Sequence, residues 1–152
     1  MSEVVKRLSA AGLVLPSAPT PAGAYVPAVR SGDLVFTSGQ LPMVDGALIT
    51  TGTVGDAVSL EVARECARQC ALNALAAAAT VCDLDEVLRV VKLSGYVSSA
   101  RDFLSQPAVI DAASDVMTTA FGERGRHARE AIGVSALPLG APVELATVLQ
   151  VS

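Results

Sequence analysis

Arg129 is the residue of this sequence whose surroundings best suit the binding of an anion. It opens a predicted strand, and the residues two and four positions further on are Ala131 and Gly133. Because alternate residues of a strand point to the same face, Arg129 has small neighbours and therefore space beside it. A guanidinium group beside a space can bind a carboxylate through two parallel hydrogen bonds. We therefore expect Arg129 to hold the charged end of a small carboxylate ligand.

Glu144 is the second residue that could take part in chemistry. It lies within the apolar segment 143–151 and shares its alternation with Ala146 and Val148. A carboxylate on such a strand face needs a hydrogen-bonding partner or a water molecule. The pattern also permits a plainer interpretation, in which Arg129 lies at a solvated strand start and Glu144 lies on an exposed face.

The spacing of these two residues limits how they could act together. If the last two strands formed one tight hairpin, Arg129 would face the region of Gln150, and Glu144 would face that of Ser135. At about 3.3 Å per residue, this register separates the two side chains by roughly 20 Å along the strands. They could then meet only across a subunit boundary, or if the two strands are not hairpin neighbours.

The sequence offers few residues for other kinds of catalysis. Its one histidine, His127, lies among arginines, which predicts a solvated basic turn instead of a Ser-His-Asp site. Cys66 and Cys70 are one helical turn apart, but no histidine or third cysteine shares that helix, so packing is favoured over metal binding. The Cys-x-x-Cys, Gly-x-Gly-x-x-Gly and Gly-Lys-Ser/Thr motifs are absent. We expect no metal site.

The composition argues against several classes of partner. The formal net charge of −4 gives no general attraction to nucleic acid or to an anionic membrane. Aromatic residues make up only 3% of the chain, which is too few for a base-stacking surface. Three cysteines form a poor disulfide framework, and neither a signal peptide nor a transmembrane run is visible. We therefore expect a cytoplasmic protein that binds neither membranes nor nucleic acid.

The first third of the chain is predicted to form a short helix, an extended arm and two strands. Ser2 can cap a helix that ends at Gly12. Three prolines and a glycine make the arm, about residues 15–24, stiff and non-helical. The next elements are expected to be strands at 25–30 and 34–38 and a hairpin or extended loop at 42–55.

A change of periodicity follows at Ser59. From there, small apolar residues recur every three to four positions, which predicts a long helix with a narrow face of small side chains. The remaining elements are expected to be a strand at 87–98, a helix at 107–121 and strands at 129–137 and 143–151. This order predicts one α+β domain over residues 1–152, with two main helices on one face of a mostly antiparallel sheet.

Three segments of the sequence resemble the Rid family, which is also called the YjgF family. Gly23–Ala28 resembles the family's G-P-Y-x-x-A segment, and Phe36–Gln40 resembles its v-x-S-G-Q strand. Ala128–Ala131, followed by Leu137-Pro138 and Val143-Glu144, resembles its closing A-R-S-x…L-P…v-E signature. The intervals within these segments match those of the family archetype without gaps.

The resemblance implies a fold, an assembly and a reaction. Members have a chorismate-mutase-like fold with a mixed sheet, and they form homotrimers with clefts between neighbouring subunits. In such a cleft, Arg129 would bind the carboxylate of an imine or enamine such as 2-aminoacrylate, and Glu144 would position or activate the water that releases ammonia and a 2-oxo acid. Tyr25, Ser38 and Gly39 would line the same cleft. No cofactor is required, because the imine is already electrophilic.

Departures from the archetype place this chain in a divergent subgroup of the family. Ala131 stands where the archetype has a cysteine, and Pro107 stands near the cleft where it has an asparagine. Ala131 would therefore line the substrate site without a reactive side chain. These differences keep a second function open, in which a non-catalytic trimer binds a small 2-oxo acid. Members have also been called endoribonucleases and translation inhibitors, which the charge and the scarcity of aromatic residues disfavour here.

Overall fold

The computed structural model describes residues 1–21 and 23–152. Its helices and strands follow the order that the periodicity predicts. They are α1 (Glu3–Ala10), β1 (Ala28–Ser31), β2 (Leu34–Thr37), β3 (Met43–Val44), β4 (Ala47–Leu48), α2 (Leu60–Ala78), β5 (Val87–Ser98), α3 (Gln106–Phe121), β6 (Ala128–Val134) and β7 (Val143–Val151).

Five of the strands form one mixed sheet in the order β1-β2-β7-β5-β6. The pairs β1–β2, β2–β7 and β5–β7 are antiparallel, and β5–β6 is parallel. The strands β6 and β7 are consecutive in the chain but are not neighbours in the sheet, because β5 lies between them. The short strands β3 and β4 form a separate hairpin whose turn places Asp45 and Gly46 at positive φ.

The two long helices cover one face of the sheet, as predicted. Ser59 caps α2 by accepting a hydrogen bond from the Val62 amide. Small side chains let α2 lie close to β7 and α3. The small side chains of α2 that are fully buried include Ala63, Cys66, Ala67, Cys70, Ala71 and Ala74. On β5, Gly95 allows α3 to approach, because a Cβ at this position would lie 2.6 Å from two side-chain carbons of Ile110.

The opposite face of the sheet, called the open face below, carries no described helix. Val29, Phe36 and Ile132 are 42–51% exposed on it. Their register confirms that they share this face, since Phe36 lies between Val29 and Val148, and Ile132 is level with Tyr96. Exposed apolar side chains on one side of a sheet are typical of a surface that another protein surface covers.

The N-terminal helix α1 is held by a carboxylate distant in sequence. Asp85 accepts hydrogen bonds from the Ser2 hydroxyl and from the Glu3 and Val4 amides, over 2.8–3.0 Å. The bonds from Val4 and Ser2 lower the pKa of Asp85. Since the Ser2 hydroxyl also accepts a hydrogen bond from the Val5 amide, the free N–H groups of the first turn are largely satisfied.

Three strands are shorter than predicted, and two of them have a local reason. The first strand begins at Ala28 and not at Tyr25, because Pro27 has no N–H to donate to a ladder. The sixth strand ends at Val134 and not at Leu137, because its partner β5 ends at Ser98, which lies level with Val134. The second strand ends one residue early, at Thr37. Among residues 1–21 and 23–152, no helix combines the length and apolar character needed to cross a bilayer.

The contact between Gly95 and Ile110 leads to a test of the helix–sheet packing. Gly95→Ala is expected to lower the free energy of unfolding by about 1–3 kcal/mol, because the added methyl group overpacks the interface. Ile110→Ala alone is expected to cost about 2–5 kcal/mol by leaving a cavity. The double variant should lose less than the sum, since the methyl group at 95 partly fills that cavity. Urea unfolding measures all three, and strict additivity would contradict the packing described.

Candidate functional site

Arg129 lies on the edge strand β6 and points towards the helices. It is level with the buried Leu93 of β5, and its Nη1 donates to Oδ1 of Asp111 over 2.7 Å and to Oγ of Ser114 over 3.1 Å. Asp111 and Ser114 are one turn apart on α3. The Arg129 side chain is 23% exposed, so its charge is partly shielded from water but still accessible.

Arg129 is supported by a series of hydrogen bonds that runs from Gly125 through His127 to Ser114. Nδ1 of His127 lies 2.6 Å from the carbonyl oxygen of Gly125, and Nε2 lies 2.9 Å from Oγ of Ser114. A carbonyl can only accept, so Nδ1 of His127 donates to the Gly125 carbonyl. The Ser114 oxygen accepts from Arg129. His127 is therefore half-buried and bonded at both nitrogens, and the prediction of a solvated turn was wrong for this residue.

The support for Arg129 uses only one of its nitrogens. Within the described residues, both hydrogen bonds of the guanidinium start from Nη1. Nε and Nη2 together form one edge of the planar group, which is the geometry that two carboxylate oxygens match. This edge remains available for a ligand.

The expected space next to Arg129 is only partly present. Ala131 and Gly133 do share its face of β6, since they are level with Gly95 and Val97. However, a Cβ at Gly133 would come within 2.7 Å of Nε2 of Gln106, so the Gln106 amide occupies that end of the row. This amide donates to the Phe103 carbonyl and to the Ser99 hydroxyl. Gly133 therefore does not provide the space that the sequence pattern predicted.

Glu144 lies on the open face of the sheet, level with Tyr96. Its carboxylate packs directly over Gly39, where a Cβ would overlap it. Burial raises the pKa of Glu144, and none of the ion pairs among the described residues includes it. The carboxylate is thus partly removed from water without a compensating cation.

Hydrogen bonds to β7 hold the Ser38–Gly39 segment beside Glu144. The Gln40 amide donates to the Leu145 carbonyl over 2.7 Å, and the Leu145 amide donates back over 3.0 Å. The Ser38 hydroxyl donates to the Val26 carbonyl over 2.6 Å, so it is engaged within its own chain. A Cβ at position 39 would displace the Glu144 carboxylate from this position.

Tyr25 completes this second group of predicted residues. Its ring is 52% exposed and lines a cavity of about 110 Å³ together with Pro27, Gln40 and Leu139. Gln40 connects this cavity to the strand that carries Glu144. Tyr25, Ser38, Gly39 and Glu144 therefore lie near one another at one end of β7.

One protomer does not bring Arg129 and Glu144 together. The two are level with Leu93 and Tyr96 of β5, on strands two positions apart in the sheet. Strand spacings of about 4.8 Å and rises of about 3.3 Å per residue place their Cα atoms roughly 14 Å apart. They also point to opposite faces. As one of the two alternatives allowed, β6 and β7 are not hairpin neighbours. This arrangement nevertheless leaves Arg129 and Glu144 apart within one protomer.

Asp111 and Ser114 were missed as site residues by the sequence analysis. Both lie within a segment correctly predicted to be helical, and neither belongs to a recognisable motif. Their spacing of three residues places them on one side of α3, which is the only signal that could have linked them. That they lie beside Arg129 follows only from the parallel register of β5 and β6, which places Arg129 next to α3.

The cysteines and the largest cavity described do not suggest another reaction. Burial raises the pKa of the Cys66 thiol to about 11 and raises that of Cys70 further from its ordinary range, so both thiols stay protonated. Among residues 1–21 and 23–152, no group of three metal-binding side chains occurs. A cavity of about 360 Å³ lies between residues 16–20, the β3–β4 hairpin and α2, with Asp45 as its one ionisable residue.

Comparisons with known proteins agree on what this chain is similar to. The family model described as "YjgF/chorismate mutase-like, putative endoribonuclease" matches residues 5–148. Protein TCP17 of Trypanosoma cruzi is 41% identical over 98% of this chain and 94% of its own length. The solved structure of Atu1372 from Agrobacterium tumefaciens, a protein of unknown function, is 41% identical, with a TM-score of 0.91 over 99% of this chain and 93% of its own. RidA from the Antarctic bacterium Psychrobacter sp. PAMC 21119 is 28% identical, with a TM-score of 0.61 over 89% and 94%.

The environment of Glu144 predicts a pH-dependent effect on stability. Because its pKa is raised in the folded chain, the stability that this group contributes is present below the unfolded pKa and is lost as the pH rises through the folded pKa. Glu144→Gln is therefore expected to be more stable than the wild type at neutral pH, with the difference shrinking as the pH falls through the raised folded pKa towards about 4. Urea unfolding between pH 4 and 8 checks this. Glu130→Gln, which removes the ion pair with Lys92, is the control and should show no such gain. A Glu144→Gln variant that is less stable at neutral pH would contradict the burial argument.

Proposed function

Since the chain belongs to the YjgF/chorismate mutase-like family, we propose that it hydrolyses small imines or enamines that carry a carboxylate. The substrates would be of the 2-aminoacrylate type, and the products would be a 2-oxo acid and ammonia. Arg129 binds the substrate carboxylate, and Glu144 acts on the attacking water.

The observation that carries this proposal is the state of Glu144. A half-buried carboxylate with a raised pKa and no described cationic partner is suited to hold a water molecule and accept its proton. Ordinary structural carboxylates are exposed or paired. The free Nε/Nη2 edge of Arg129 provides the complementary group for the charged end of the substrate.

The reaction follows from these two groups. The substrate carboxylate lies on Arg129 with its imine carbon next to the water held by Glu144. Glu144 accepts a proton as the water oxygen bonds to the imine carbon and passes this proton to the nitrogen. The new hydroxyl group then gives its proton to the nitrogen, again through Glu144, as the C–N bond breaks, which leaves the carbonyl of the 2-oxo acid and ammonia. The imine is electrophilic by itself, so these steps require no cofactor. Ala131 adds no reactive group beside Arg129 and leaves room for a substrate side chain.

The proposal requires a homotrimer, because one protomer keeps Arg129 and Glu144 apart. The open face exposes Val29, Phe36 and Ile132 and also carries Glu144, whereas Arg129 lies on the free edge strand β6. A neighbouring subunit whose β6 edge lies against this face would bury the apolar side chains and bring its Arg129 to Glu144. Closed rings of identical contacts satisfy every such surface.

Binding without catalysis is the second candidate function. In that case the same intersubunit cleft holds a small 2-oxo acid on Arg129. The replacement of a family cysteine by Ala131 favours it, since the replacement removes a reactive group from the cleft. An endoribonuclease function, which the family description also contains, has less support, because the net charge of −4 does not attract a phosphate backbone.

Deamination can be tested with enzymatically generated 2-aminoacrylate and related imines. The wild type is expected to accelerate their loss, and Arg129→Ala should lower kcat/KM by about 10²-fold or more, because it removes two hydrogen bonds to a charged group that contribute about 1.5–3 kcal/mol each. Arg126→Ala is the matched control, since Arg126 is exposed and pairs only with Glu123 in the described structure. No acceleration by the wild type over the panel would favour the binding function.

The assembly can be tested by light scattering. A trimer of 15.4 kDa chains has a mass of about 46 kDa. Phe36→Asp, which places a charge on the open face, is expected to reduce this mass to that of a monomer. Leu104→Asp changes a residue that is 80% exposed outside the sheet and should leave the trimer intact. A wild-type monomer at micromolar concentration would remove the intersubunit cleft from the proposal.

A further inference from the structure

We propose that the cavity beside Tyr25 binds the side chain of the substrate and that Leu139 makes this cavity selective for branched aliphatic side chains. Within the class of carboxylate-bearing imines, the preferred substrates would then be 2-imino acids with a side chain of about three or four carbons. This inference rests on the proposed function, because it takes Glu144 as the group beside the reacting carbon.

The cavity lies close to the carboxylate that is proposed to hold the water. Gln40 lines the cavity and directly follows Gly39, over which the Glu144 carboxylate packs. Because consecutive Cα atoms are about 3.8 Å apart, this carboxylate lies within roughly 8 Å of the Gln40 Cα atom. Two backbone hydrogen bonds between Gln40 and Leu145 fix the cavity to the start of β7. A side chain that extends from the reacting carbon can therefore reach the cavity.

The lining of the cavity suits an apolar side chain of limited size. It consists of three prolines, one threonine, the ring of Tyr25, Gln40, Leu41, Met43 and Leu139. This described lining contains no acidic or basic residue, and the Gln40 amide already donates to a backbone carbonyl. The volume is about 110 Å³, whereas an apolar cavity of about 150 Å³ holds benzene. The space therefore matches an isopropyl or isobutyl group and is small for a benzyl group.

Leu139 combines a strained backbone with an exposed side chain. Its φ is 60°, a region that residues other than glycine, asparagine and aspartate seldom adopt. The other described non-glycine residue with positive φ is Asp45, which is of a type that turns favour. Leu139 is also 70% exposed, so burial in the core does not explain a leucine here. An apolar side chain at the rim of the cavity does, because it gains contacts when a ligand side chain lies against it.

Backbone hydrogen bonds hold the turn around Leu139 independently of its side chain. The Gly52 amide donates to the Gly140 carbonyl over 2.9 Å, and the Gly140 amide donates to the Leu137 carbonyl over 3.2 Å. Glycine adopts positive φ without strain. Leu139→Gly is therefore expected to remove the side chain while the turn stays in place.

The first test compares the binding of 4-methyl-2-oxopentanoate and pyruvate, which differ only by an isopropyl substituent. Calorimetric titration of the wild type is expected to show about tenfold tighter binding of the branched acid. Leu139→Gly should reduce this preference to about threefold or less, because it removes apolar contacts. Leu139→Met keeps an apolar side chain and should retain the preference. Leu104→Gly is the matched control, since Leu104 is exposed outside the cavity, and it should not change the ratio.

Three results would overturn the inference. They are a wild type that binds both acids equally or neither acid, a Leu139→Gly variant that keeps the full preference, and a Leu139→Gly variant whose mass in light scattering falls to that of a monomer. In the last case, Leu139 would belong to the subunit contact. Arg129→Ala separates this inference from the proposed function. If it leaves both affinities unchanged, the carboxylate site is wrong, whereas if it abolishes both while Leu139→Gly retains the preference, only the side-chain site is wrong.

Enlarging the cavity provides an independent test. Met43 lines the cavity, so Met43→Ala adds space to it. The wild type is expected to bind 3-phenyl-2-oxopropanoate less tightly than 4-methyl-2-oxopentanoate, and Met43→Ala should shift the ratio about tenfold towards the phenyl acid. A gain in binding cannot result from a loss of folding. Met117→Ala, which opens space in the core on α3, is the control and should leave the ratio unchanged. An unchanged ratio in Met43→Ala would show that the cavity does not hold the side chain.

Discussion

The hydrogen-bonded ladder on both sides of β5 is the constraint on which the rest of the structure depends. This strand pairs in parallel with β6 and antiparallel with β7, so it separates two strands that follow each other in the chain. The parallel register places Arg129 level with Leu93 and therefore under α3. The antiparallel register places Glu144 level with Tyr96 and therefore on the open face. The location of both residues follows from these two pairings, and so does their separation within one protomer.

Close packing of small side chains makes this arrangement compact enough to support Arg129. Gly95 brings α3 down onto β5, and the same approach brings Asp111 and Ser114 within hydrogen-bonding distance of the guanidinium. Helix α3 therefore serves both as a cover for the core and as one wall of the candidate site. The Ser114 hydroxyl and the Asp111 carboxylate fix the position of Arg129, while one edge of its guanidinium group stays free.

The candidate site consists of two groups of residues, one around Arg129 and one around Glu144, and the two groups differ in their electrostatics. Around Arg129, the guanidinium is paired with the carboxylate of Asp111. Around Glu144, a carboxylate is partly desolvated and its pKa is raised. A ligand that joins the halves must satisfy a guanidinium edge at one end and tolerate a carboxylate at the other. A small molecule with an anionic group beside an electrophilic or cationic carbon–nitrogen group meets both conditions, and RNA, with its repeated phosphates, does not.

The sequence by itself determined the order of the helices and strands and the bounds of the long ones to within about a residue, because those depend on local periodicity, caps and prolines. It also identified Arg129 and Glu144 as unusual, because a charged residue among apolar or small residues of a predicted strand can be recognised from the sequence alone. Only the tertiary structure decided that β5 lies between their strands, that the two side chains point to opposite faces, and that Asp111, Ser114 and His127 hold or flank Arg129. Strand pairing and helix packing join residues that are up to 116 positions apart in the chain, and no local pattern records which of the available partners the fold brings together.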